Sequence, residues 1–490
     1  LFASSVQTNM EHRKVQYKNN KKNVESLREN RNNQQISIRR DKRDEVVAAR
    51  RSLGSISGDV DLQREAMLNL KAIVENGDEF LKDLLSADLL PSLANAMQGE
   101  LHDSILMMLA KISAKSRDCA KAVYDIELFP KITEAIRSDD EELSTTCIRS
   151  VGYITQICFP WDAEMKVDMM GQLAKLLEGE LSFEMVESLA EAFLCISRRN
   201  RDDPLLSDDV ALDLLKTLKV LFANVVRHEN PKSRGLVDTL LAMSYISEQG
   251  RSKTRMFVEL GFSHILATLF PYNDSSVRLY TLRVIADICY GGIEEVDAFL
   301  DVGVLSFVRS SLSVESSSRF ASRMKLEVVR MLAYVLGGTL LQIQKVIEYE
   351  LFCPMKELLM KGNCEIQEMT VFAFMNATRK QEAAQYMLTL DCIPLLCEVL
   401  NSKSCSSETA TDIITALLNF IYFANNEHQF AEIIKIIECH ALESIDECRN
   451  STDTFLVIRA GELYDTVVGD ESRTDRCSIT SDNEGKQFTF

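Results

Sequence analysis

From about residue 60 onward, apolar side chains recur at the three- and four-residue spacing of helices that bury one face. On a longer scale, a turn residue is repeatedly followed by two apolar residues and a further helix. Clear copies begin at Asp88, Glu127, Asp168, Gly261, Gly303, Glu350 and Asp391, with a weaker copy near Val210. Successive copies lie 39, 41, 42, 51, 42, 47 and 41 residues apart, which is typical of helical repeats of the armadillo or HEAT type. Such units bury their apolar faces only by stacking, so we expect an all-α solenoid with one concave surface.

The segments that flank this periodic region have a different composition. Residues 52–59 form a Gly/Ser-rich stretch that predicts a flexible linker between a basic arm, residues 10–51, and a solenoid over residues 60–468. Residues 469–490 are polar and predict a disordered tail. Residues 1–9 lack a methionine and precede Met10, so we interpret them as a non-native leader.

Charge separates the arm from the body. Residues 10–51 contain 13 Lys plus Arg against 6 Asp plus Glu, a net of +7, whereas the whole chain carries −18, so the rest carries −25. If Asn33 to Arg51 is helical, Arg39, Arg40, Lys42 and Arg43 fall on one half of the helix, and Asp41, Asp44 and Glu45 fall on the opposite side. This arrangement favours an acidic partner. A solvated charged helix and a disordered basic tail are the alternatives for any such charge run.

The order of the residues in the arm is more specific than its charge. Tyr17-Lys18-Asn19, Val24-Glu25-Ser26-Leu27-Arg28, Arg31-Asn32 and the run Arg39 to Glu45 resemble the importin-β-binding segment of the importin-α (karyopherin-α) family. The body resembles the same family at Asp238 to Tyr245, Gln342 to Val346 and Glu438 to Ile445, which look like parts of its fifth, seventh-to-eighth and tenth repeats.

The resemblance implies an armadillo-repeat right-handed superhelical solenoid of about ten repeats, preceded by a flexible basic helical arm. It also implies two protein partners, importin-β at the arm and an export receptor at the C-terminal repeats, and shuttling between cytoplasm and nucleus. The basic residues that would contact importin-β are Arg13, Lys18, Lys22, Arg28, Arg31, Arg39, Arg40, Lys42, Arg43, Arg50 and Arg51.

The family reads basic nuclear localisation signals with a W-x-x-x-N ladder on the third helix of successive repeats. Tryptophan rings receive lysine side chains, and asparagine amides one turn further on bond the backbone of the peptide. Aligned by apolar register, the seven Trp slots here hold Met107, Arg149, Glu191, Leu241, Arg283, Arg330 and Phe372. Their Asn-slot partners are Lys111, Tyr153, Cys195, Tyr245, Asp287, Tyr334 and Asn376.

The ladder is therefore largely altered. Only Phe372 with Asn376 nearly keeps the family chemistry, while Lys111 and Arg149 would repel a basic peptide and Asp287 would offer a carboxylate to a lysine. At ~1 kcal/mol for each lost cation–π contact and each lost hydrogen bond, three emptied rungs would cost ~4–6 kcal/mol. We expect weak binding of basic signals, centred on repeats six to eight. Met107, Leu241 and Cys195 are interpreted as ordinary helix residues.

Within the family, a Lys-Arg-Arg cluster at the end of the arm competes with cargo for the groove. The corresponding residues here are Ala49-Arg50-Arg51, so we expect weak or no self-inhibition.

Residues that would indicate catalysis or a cofactor do not form a pattern. The six histidines have no neighbouring acids or cysteines at ligand spacing, the 13 cysteines contain no C-x-x-C pair, and we predict no metal, no cofactor and no enzymatic activity. The acidic body argues against nucleic-acid binding, and without a long apolar run we expect a soluble intracellular protein with no membrane contact.

Three hypotheses follow. The first is a nuclear import adaptor that binds importin-β through its arm and carries a cargo with a nuclear localisation signal in its concave groove. The second is an importin-β-binding armadillo scaffold for a specific folded partner. The third is a structural armadillo protein without a transport role, against which the basic arm counts.

Overall fold

The computed structural model of the chain describes residues 60–75, 89–97, 101–159, 164–199, 205–228, 234–312 and 319–469, and separate residues between 31 and 51. These residues fold into helices, and the described part of the chain contains no strand. They belong to two compact units, Leu1–Tyr245 and Ile246–Phe490. The predicted leader, linker and tail, apart from Gly469, lie outside the described residues.

The helices of the first unit are α1 Val60–Glu75, α2 Leu89–Ala96, α3 His102–Ser113, α4 Arg117–Asp125, α5 Phe129–Ala135, α6 Glu141–Cys158, α7 Glu164–Leu176, α8 Phe183–Ser197, α9 Asp208–Arg227 and α10 Arg234–Ser247, whose last two residues enter the second unit. We count α1 as repeat one, α2–α3 as repeat two, α4–α6 as three, α7–α8 as four and α9–α10 as five.

The second unit continues with α11 Arg251–Glu259, α12 Phe262–Ala267, α13 Ser275–Cys289, α14 Ile293–Asp301, α15 Val304–Leu312, α16 Arg319–Leu336, α17 Leu340–Glu348, α18 Phe352–Lys361, α19 Cys364–Thr378, α20 Gln381–Thr389, α21 Cys392–Leu400, α22 Ser407–Tyr422, α23 Glu427–Cys448 and α24 Thr454–Val468. Repeats six to nine each have three helices, α11–α13, α14–α16, α17–α19 and α20–α22, and repeat ten has α23–α24. This is the armadillo arrangement.

The turn before the second helix of a repeat is left-handed at the positions that the sequence pattern marks. Gly261 and Gly303 have φ of 76° and 78°, and Glu127, Glu350 and Asp391 have φ of 57°, 52° and 51°. Positive φ turns the chain sharply enough to reverse its direction between two short helices, and it strains any residue that has a Cβ. The periodic turn signal is confirmed at these five positions.

Two of the predicted turns are wrong. Asp168 lies inside the continuous helix α7, and Val210 lies in the first turn of the 20-residue helix α9. No glycine or proline interrupts the α9 sequence, so helical hydrogen bonding continues through it. Repeats four and five therefore show two helices each in the described residues.

The last helices of repeats three, four, six, eight, nine and ten begin with a side-chain cap. Asp140, Ser182 and Asp274 accept hydrogen bonds from backbone N–H groups in the first turns of α6, α8 and α13. Asn363, Ser406 and Asp453 do the same for α19, α22 and α24. These caps satisfy donors that a helix leaves unpaired, typically stabilising it by ~1 kcal/mol each.

Within each unit, the core runs along these last helices, which pack against one another between repeats. Phe193, Phe374 and Phe420 are fully buried there. Helices α6 and α8 approach each other most closely beside Gly152. A Cβ added to Gly152 on α6 would lie 2.6 Å from the Cα of Ala192 on α8, so a larger side chain would not fit there. The core thus depends on inter-repeat contact, as expected of a solenoid.

In the described part of the chain, no single helix is long and apolar enough to cross a membrane. Helices α20 and α21 reach that length and composition only as a pair, across an 89° bend.

The strained turn at Glu127 gives a test of the repeat assignment. Glu127 is exposed and left-handed, so Glu127→Gly should relieve backbone strain of ~1–2 kcal/mol while adding unfolded-state entropy. We expect a net stabilisation of ~0.5 kcal/mol or more in the urea-unfolding free energy.

The matched control is Glu134→Gly, because Glu134 is an exposed glutamate inside α5. This change should destabilise the protein by roughly 0.5–1 kcal/mol. Destabilisation of similar size at both positions would contradict the left-handed turn at Glu127.

Candidate peptide-binding face

The described residues of the arm between 31 and 51 are helical, as predicted for residues 33–51. The side chains of Arg31, Arg39, Arg40, Arg43 and Arg51 are exposed. Arg13, Lys18, Lys22, Arg28, Lys42 and Arg50 lie outside the described residues.

The arm also carries an apolar position that charge counting misses. Val46 is 1% exposed, and at 100° per residue it falls 20° from Arg39, on the cationic half of the helix. Ile36, 60° from Arg39 on the same half, is half exposed. The cationic half of the helix therefore contains one buried apolar position, Val46, and one apolar side chain, Ile36, that is exposed beside the arginines.

All seven slot pairs lie on the last helices of repeats two to eight, namely α3, α6, α8, α10, α13, α16 and α19, which we call the ladder helices. Each pair is one turn apart on its helix. The structure therefore places the predicted residues at equivalent positions, and their contacts differ from those of a Trp/Asn ladder.

In the first unit, the two cations expected to repel a basic peptide are paired. Lys111 Nζ lies 2.9 Å from Glu142 Oε1, and Arg149 Nε lies 3.3 Å from Glu191 Oε2. Each pair joins adjacent repeats. The expected repulsion is thus partly neutralised within the protein, because each cation has a carboxylate beside it.

Glu191 connects three repeats. Its Oε1 accepts a hydrogen bond of 3.1 Å from the Tyr153 hydroxyl and lies 3.3 Å from the guanidinium of Arg234. Glu191 fills the Trp slot of repeat four, and Tyr153 fills the Asn slot of repeat three. Two slots that would face a peptide in the ladder are therefore bonded to each other.

Burial raises the pKa values of two groups near Glu191, namely Tyr153 and Asp238. It raises the pKa of Tyr153 to about 12, with Cys195 and Glu191 adding to the shift. It also raises the pKa of Asp238 to about 6, against the opposing effect of Arg234, whose Nε lies 3.4 Å from Asp238 Oδ2. The hydroxyl of Tyr153 therefore stays protonated and acts as a donor at neutral pH.

The remaining slots of the first unit are largely structural. Cys195 is buried, and burial raises its pKa to about 12. Met107 and Leu241 are half-buried, as is Tyr245, whose ring centroid lies 5.9 Å from the Arg198 guanidinium carbon. The Cys195 position thus lies in the core, where a peptide would not reach it.

In the second unit, Asp287, whose carboxylate was expected to pair with a lysine of a ligand, already forms an ion pair within the protein. Asp287 has a side chain only 2% exposed, and its Oδ1 lies 2.6 Å from Arg330 Nη1. Burial opposes the charge of Arg330, but Asp287 and Glu327 outweigh that effect and raise its pKa. The prediction that Asp287 is available to a basic ligand is therefore wrong, because a buried carboxylate requires a partner and Arg330 supplies it.

Arg330 and Asp287 repeat the arrangement of the first unit. A residue in the Trp slot of repeat seven is bonded to the Asn slot of repeat six. The neighbouring Trp slot, Arg283, lies 2.6 Å from Glu248 Oε1 through Nη2. Tyr334, the Asn slot of repeat seven, is half-buried and packs edge-on against the ring of Tyr290 at 5.5 Å.

Asn376, in the one slot pair that nearly keeps the family chemistry, also bonds within the protein. Asn376 is 8% exposed, and its Nδ2 donates a 3.1 Å hydrogen bond to the backbone oxygen of Ala333 in the preceding repeat. One of its two amide N–H donors is therefore engaged within the protein. Phe372 is half-buried and keeps part of its ring accessible.

Several residues of this face were missed by sequence reasoning. Four of them form ion pairs with slot residues: Glu142, Glu248, Glu327 and Arg234. A fifth, Asn419 on α22, continues the Asn slots into repeat nine and donates a 3.2 Å hydrogen bond to Thr378 Oγ1. The sequence does contain a signal for such pairing, namely opposite charges one repeat length apart, as in Arg149 with Glu191 and Asp287 with Arg330.

Among the described residues, no group of three or more His, Cys, Asp or Glu could hold a metal ion. The twelve described cysteines are all free thiols. The chemistry of the face therefore consists of hydrogen bonds, ion pairs and aromatic contacts.

Comparison with known proteins supports this description. The importin beta binding domain family matches residues 13–149, which include the arm and the first repeats. No curated protein sequence matches the chain. A crystal structure of an engineered protein superposes with a TM-score of 0.71 at 20% identity, covering 86% of this chain and 98% of that chain.

A designed armadillo repeat protein matches with a TM-score of 0.44 at 22% identity, covering 50% of this chain and 99% of that chain. The chain therefore contains a segment similar to an importin beta binding domain within residues 13–149, and its described residues share their fold with the engineered protein.

Proposed function

We propose that this protein is a nuclear import adaptor whose arm recruits importin-β and whose repeats carry a protein cargo while it shuttles between cytoplasm and nucleus. The observation that carries the proposal is the exposed arginine helix of residues 31–51, inside the segment that matches the importin beta binding domain. The arm and the helical repeats belong to one chain, which supports a role in linking importin-β to a cargo. The protein acts by binding, without a catalytic step of its own.

A second candidate function follows from the ladder helices. Arg149, Tyr153, Asp287 and Asn376 all make inter-repeat contacts, so a basic signal would have to displace bonds that already exist. This favours an importin-β-binding scaffold whose partner is recognised by something other than a basic nuclear localisation signal. For the import adaptor, the same contacts make any binding of such signals weak.

The C-terminal repeats carry support for a further partner. Phe430, Phe455 and Ile458 in repeat ten are exposed apolar side chains, which the export receptor implied by the family resemblance could cover.

The arm should be required for importin-β binding by the intact protein. Replacing Arg39, Arg40, Lys42 and Arg43 by alanine removes most of the cationic half of the helix and should weaken binding at least 100-fold in surface plasmon resonance. Because the contact depends on charge, raising the salt concentration should weaken the binding of the unaltered protein.

The matched control replaces Asp41 and Asp44 by alanine, on the opposite side of the same helix. This variant should keep its affinity within a few-fold. Equal affinities for the quadruple variant and the unaltered protein would contradict the assignment of the arm.

The ladder helices should bind a basic signal tightly only after repair. Titration calorimetry of the full chain with a monopartite basic peptide should give micromolar or weaker affinity. Rebuilding two rungs, with Met107→Trp and Lys111→Asn in repeat two and Arg149→Trp and Tyr153→Asn in repeat three, should tighten binding by about 10² or more, from ~1 kcal/mol per contact restored.

The control places the same residue types off the ladder, as Glu134→Trp and Lys131→Asn on α5, and should leave the affinity unchanged. In the unaltered protein, Phe372→Ala should reduce the residual binding and Met107→Ala should not. Tight binding before repair, or damage from Met107→Ala alone, would show that the basic-signal site of the early repeats is functional.

A further inference from the structure

Arg278, near the start of the ladder helix α13 in repeat six, reaches helix α15 of repeat seven. Its Nη2 donates hydrogen bonds of 2.7 Å to the hydroxyl oxygens of Ser310 and Ser311. Its Nη1 donates a 3.3 Å hydrogen bond to the backbone oxygen of Tyr272, and its guanidinium carbon lies 4.6 Å from the centre of the Phe307 ring. These contacts hold the guanidinium against the C-terminal part of α15.

The positive charge of Arg278 has only neutral partners in the part of the chain that the structure describes. Arg278 is half-buried, and it contacts three neutral oxygen atoms and one aromatic ring. Burial lowers the pKa of Arg278, and among the described residues no carboxylate offsets that effect. Its buried Nε–H makes no hydrogen bond to them either. Because a cation withdrawn from water is stabilised by a nearby anion, a negative charge beside Arg278 would be favoured.

The two serines that accept from Arg278 differ in their access to solvent. Ser310 is exposed, whereas Ser311 is 0% exposed. Both hydroxyls donate 2.8 Å hydrogen bonds to the backbone oxygen of Phe307, so that oxygen keeps a donor from Ser311 if Ser310 loses its hydroxyl hydrogen. Ser310 also lies in the last turn of α15, which ends at Leu312, and helix ends fray. Of the two serines, Ser310 is therefore the one that an external enzyme can reach.

We propose that Ser310 is a phosphorylation site and that its phosphate bonds to Arg278 and fastens repeat seven to repeat six. A phosphoserine carries a charge of about −1.5 to −2 at pH 7 and has three acceptor oxygens. Guanidinium groups bind phosphate through short charge-assisted hydrogen bonds, and the Ser310 oxygen already lies within hydrogen-bond distance of Arg278. The inference does not depend on the proposed adaptor function, because the arm takes no part in it.

The reaction is the transfer of the γ-phosphoryl group of ATP by a protein kinase. The Oγ of Ser310 attacks the γ-phosphorus and forms an O–P bond. The bond from that phosphorus to the oxygen that bridges the β- and γ-phosphates breaks, and ADP leaves with the electron pair. The hydroxyl proton passes to the catalytic aspartate of the kinase. This chain therefore contributes only an accessible hydroxyl group and the cation that receives the product.

Other charges near Ser310 act in both directions. Arg309 precedes it on α15 and would attract a phosphate, while Glu350 lies 3.1 Å from Arg309 through Oε2 and would repel one. The C-terminal end of α15 also disfavours an anion through the helix dipole. Glu350 is already paired with Arg309, and Arg278 has no carboxylate beside it among the described residues, so we expect the attraction of Arg278 to prevail.

The first measurement maps phosphate by mass spectrometry on the full chain, produced in cultured eukaryotic cells with phosphatase inhibitors present. We expect phosphate on Ser310 and none on the buried Ser311. The Ser310→Ala variant serves as the control, and the corresponding phosphopeptide should be missing from it. Absence of phosphate from Ser310 in the unaltered chain would overturn the proposal.

The second measurement tests the contact with Arg278, using the full chain with phosphoserine installed at position 310 and phosphorus NMR across a pH titration. The phosphate should titrate below its usual pKa of about 6, because a nearby cation favours the doubly charged form. Arg278→Gln should raise that titration midpoint by roughly half a pH unit or more, and Arg278→Lys should raise it less. The matched control is Arg255→Gln, which removes an exposed arginine on α11 that pairs with Glu259, and it should leave the midpoint unchanged. Equal effects of Arg278→Gln and Arg255→Gln would overturn the assignment of Arg278.

The third measurement tests the fastening of the two repeats by thermal unfolding of the full chain. Phosphoserine at position 310 should raise the Tm by roughly 2–4 °C, and Arg278→Gln should abolish the rise. A lower Tm, or the same change with and without Arg278, would overturn the proposal. Inorganic phosphate added to the unmodified chain should give no rise that depends on Arg278. Such a rise would overturn the modification site in favour of a site for free anions. Because none of these measurements involves importin-β, a failure of the adaptor function gives a different result.

Discussion

The contact that the rest of the structure depends on is the packing of ladder helices against one another between neighbouring repeats of the same unit. Polar side chains near these contacts are drawn out of water, and a buried charge is tolerated only with a partner. Asp287 illustrates the constraint, because its carboxylate is almost fully buried and bonded to Arg330 of the next repeat. Once the Trp and Asn slots contain charged residues, pairing between repeats becomes the way to satisfy them. The same requirement that stabilises the stack therefore removes Asp287 from the surface offered to a ligand.

The repeating architecture could be predicted because its signals are local. A left-handed turn needs only a few adjacent residues, and the positive φ at Glu127, Gly261, Gly303, Glu350 and Asp391 agrees with the positions marked by the pattern. The same signal failed at Asp168, where the helix continues through the predicted turn. The slot positions were also predictable, since they follow from apolar register along each helix. The fold class and the position of the candidate face were thus available from the sequence.

The hydrogen bonds and ion pairs of each slot side chain could not be predicted in the same way, because they depend on a residue one repeat away. Asn376 retains the residue type of the family ladder, yet its amide donates to Ala333, 43 residues earlier. Asp287 and Arg149 were each interpreted by their own charge, and each is paired with a residue of an adjacent repeat. Opposite charges at one repeat length are a usable sign of such pairing. They indicate which positions are complementary, whereas burial of the pair follows only from the packing of the helices.

Separation of charge between arm and body raises the question of what keeps the arm available to importin-β. A body at −25 attracts an arm at +7 over long distances, but long-range attraction is screened by salt and does not specify a bound geometry. Specific capture by the ladder would need unpaired carboxylates, open aromatic faces and free amides at the slots. In the described residues, Glu191 and Asp287 are paired with cations, Tyr153 donates to Glu191, and Asn376 donates to the backbone. We therefore expect pairing within the ladder to weaken the capture of the arm by its own body.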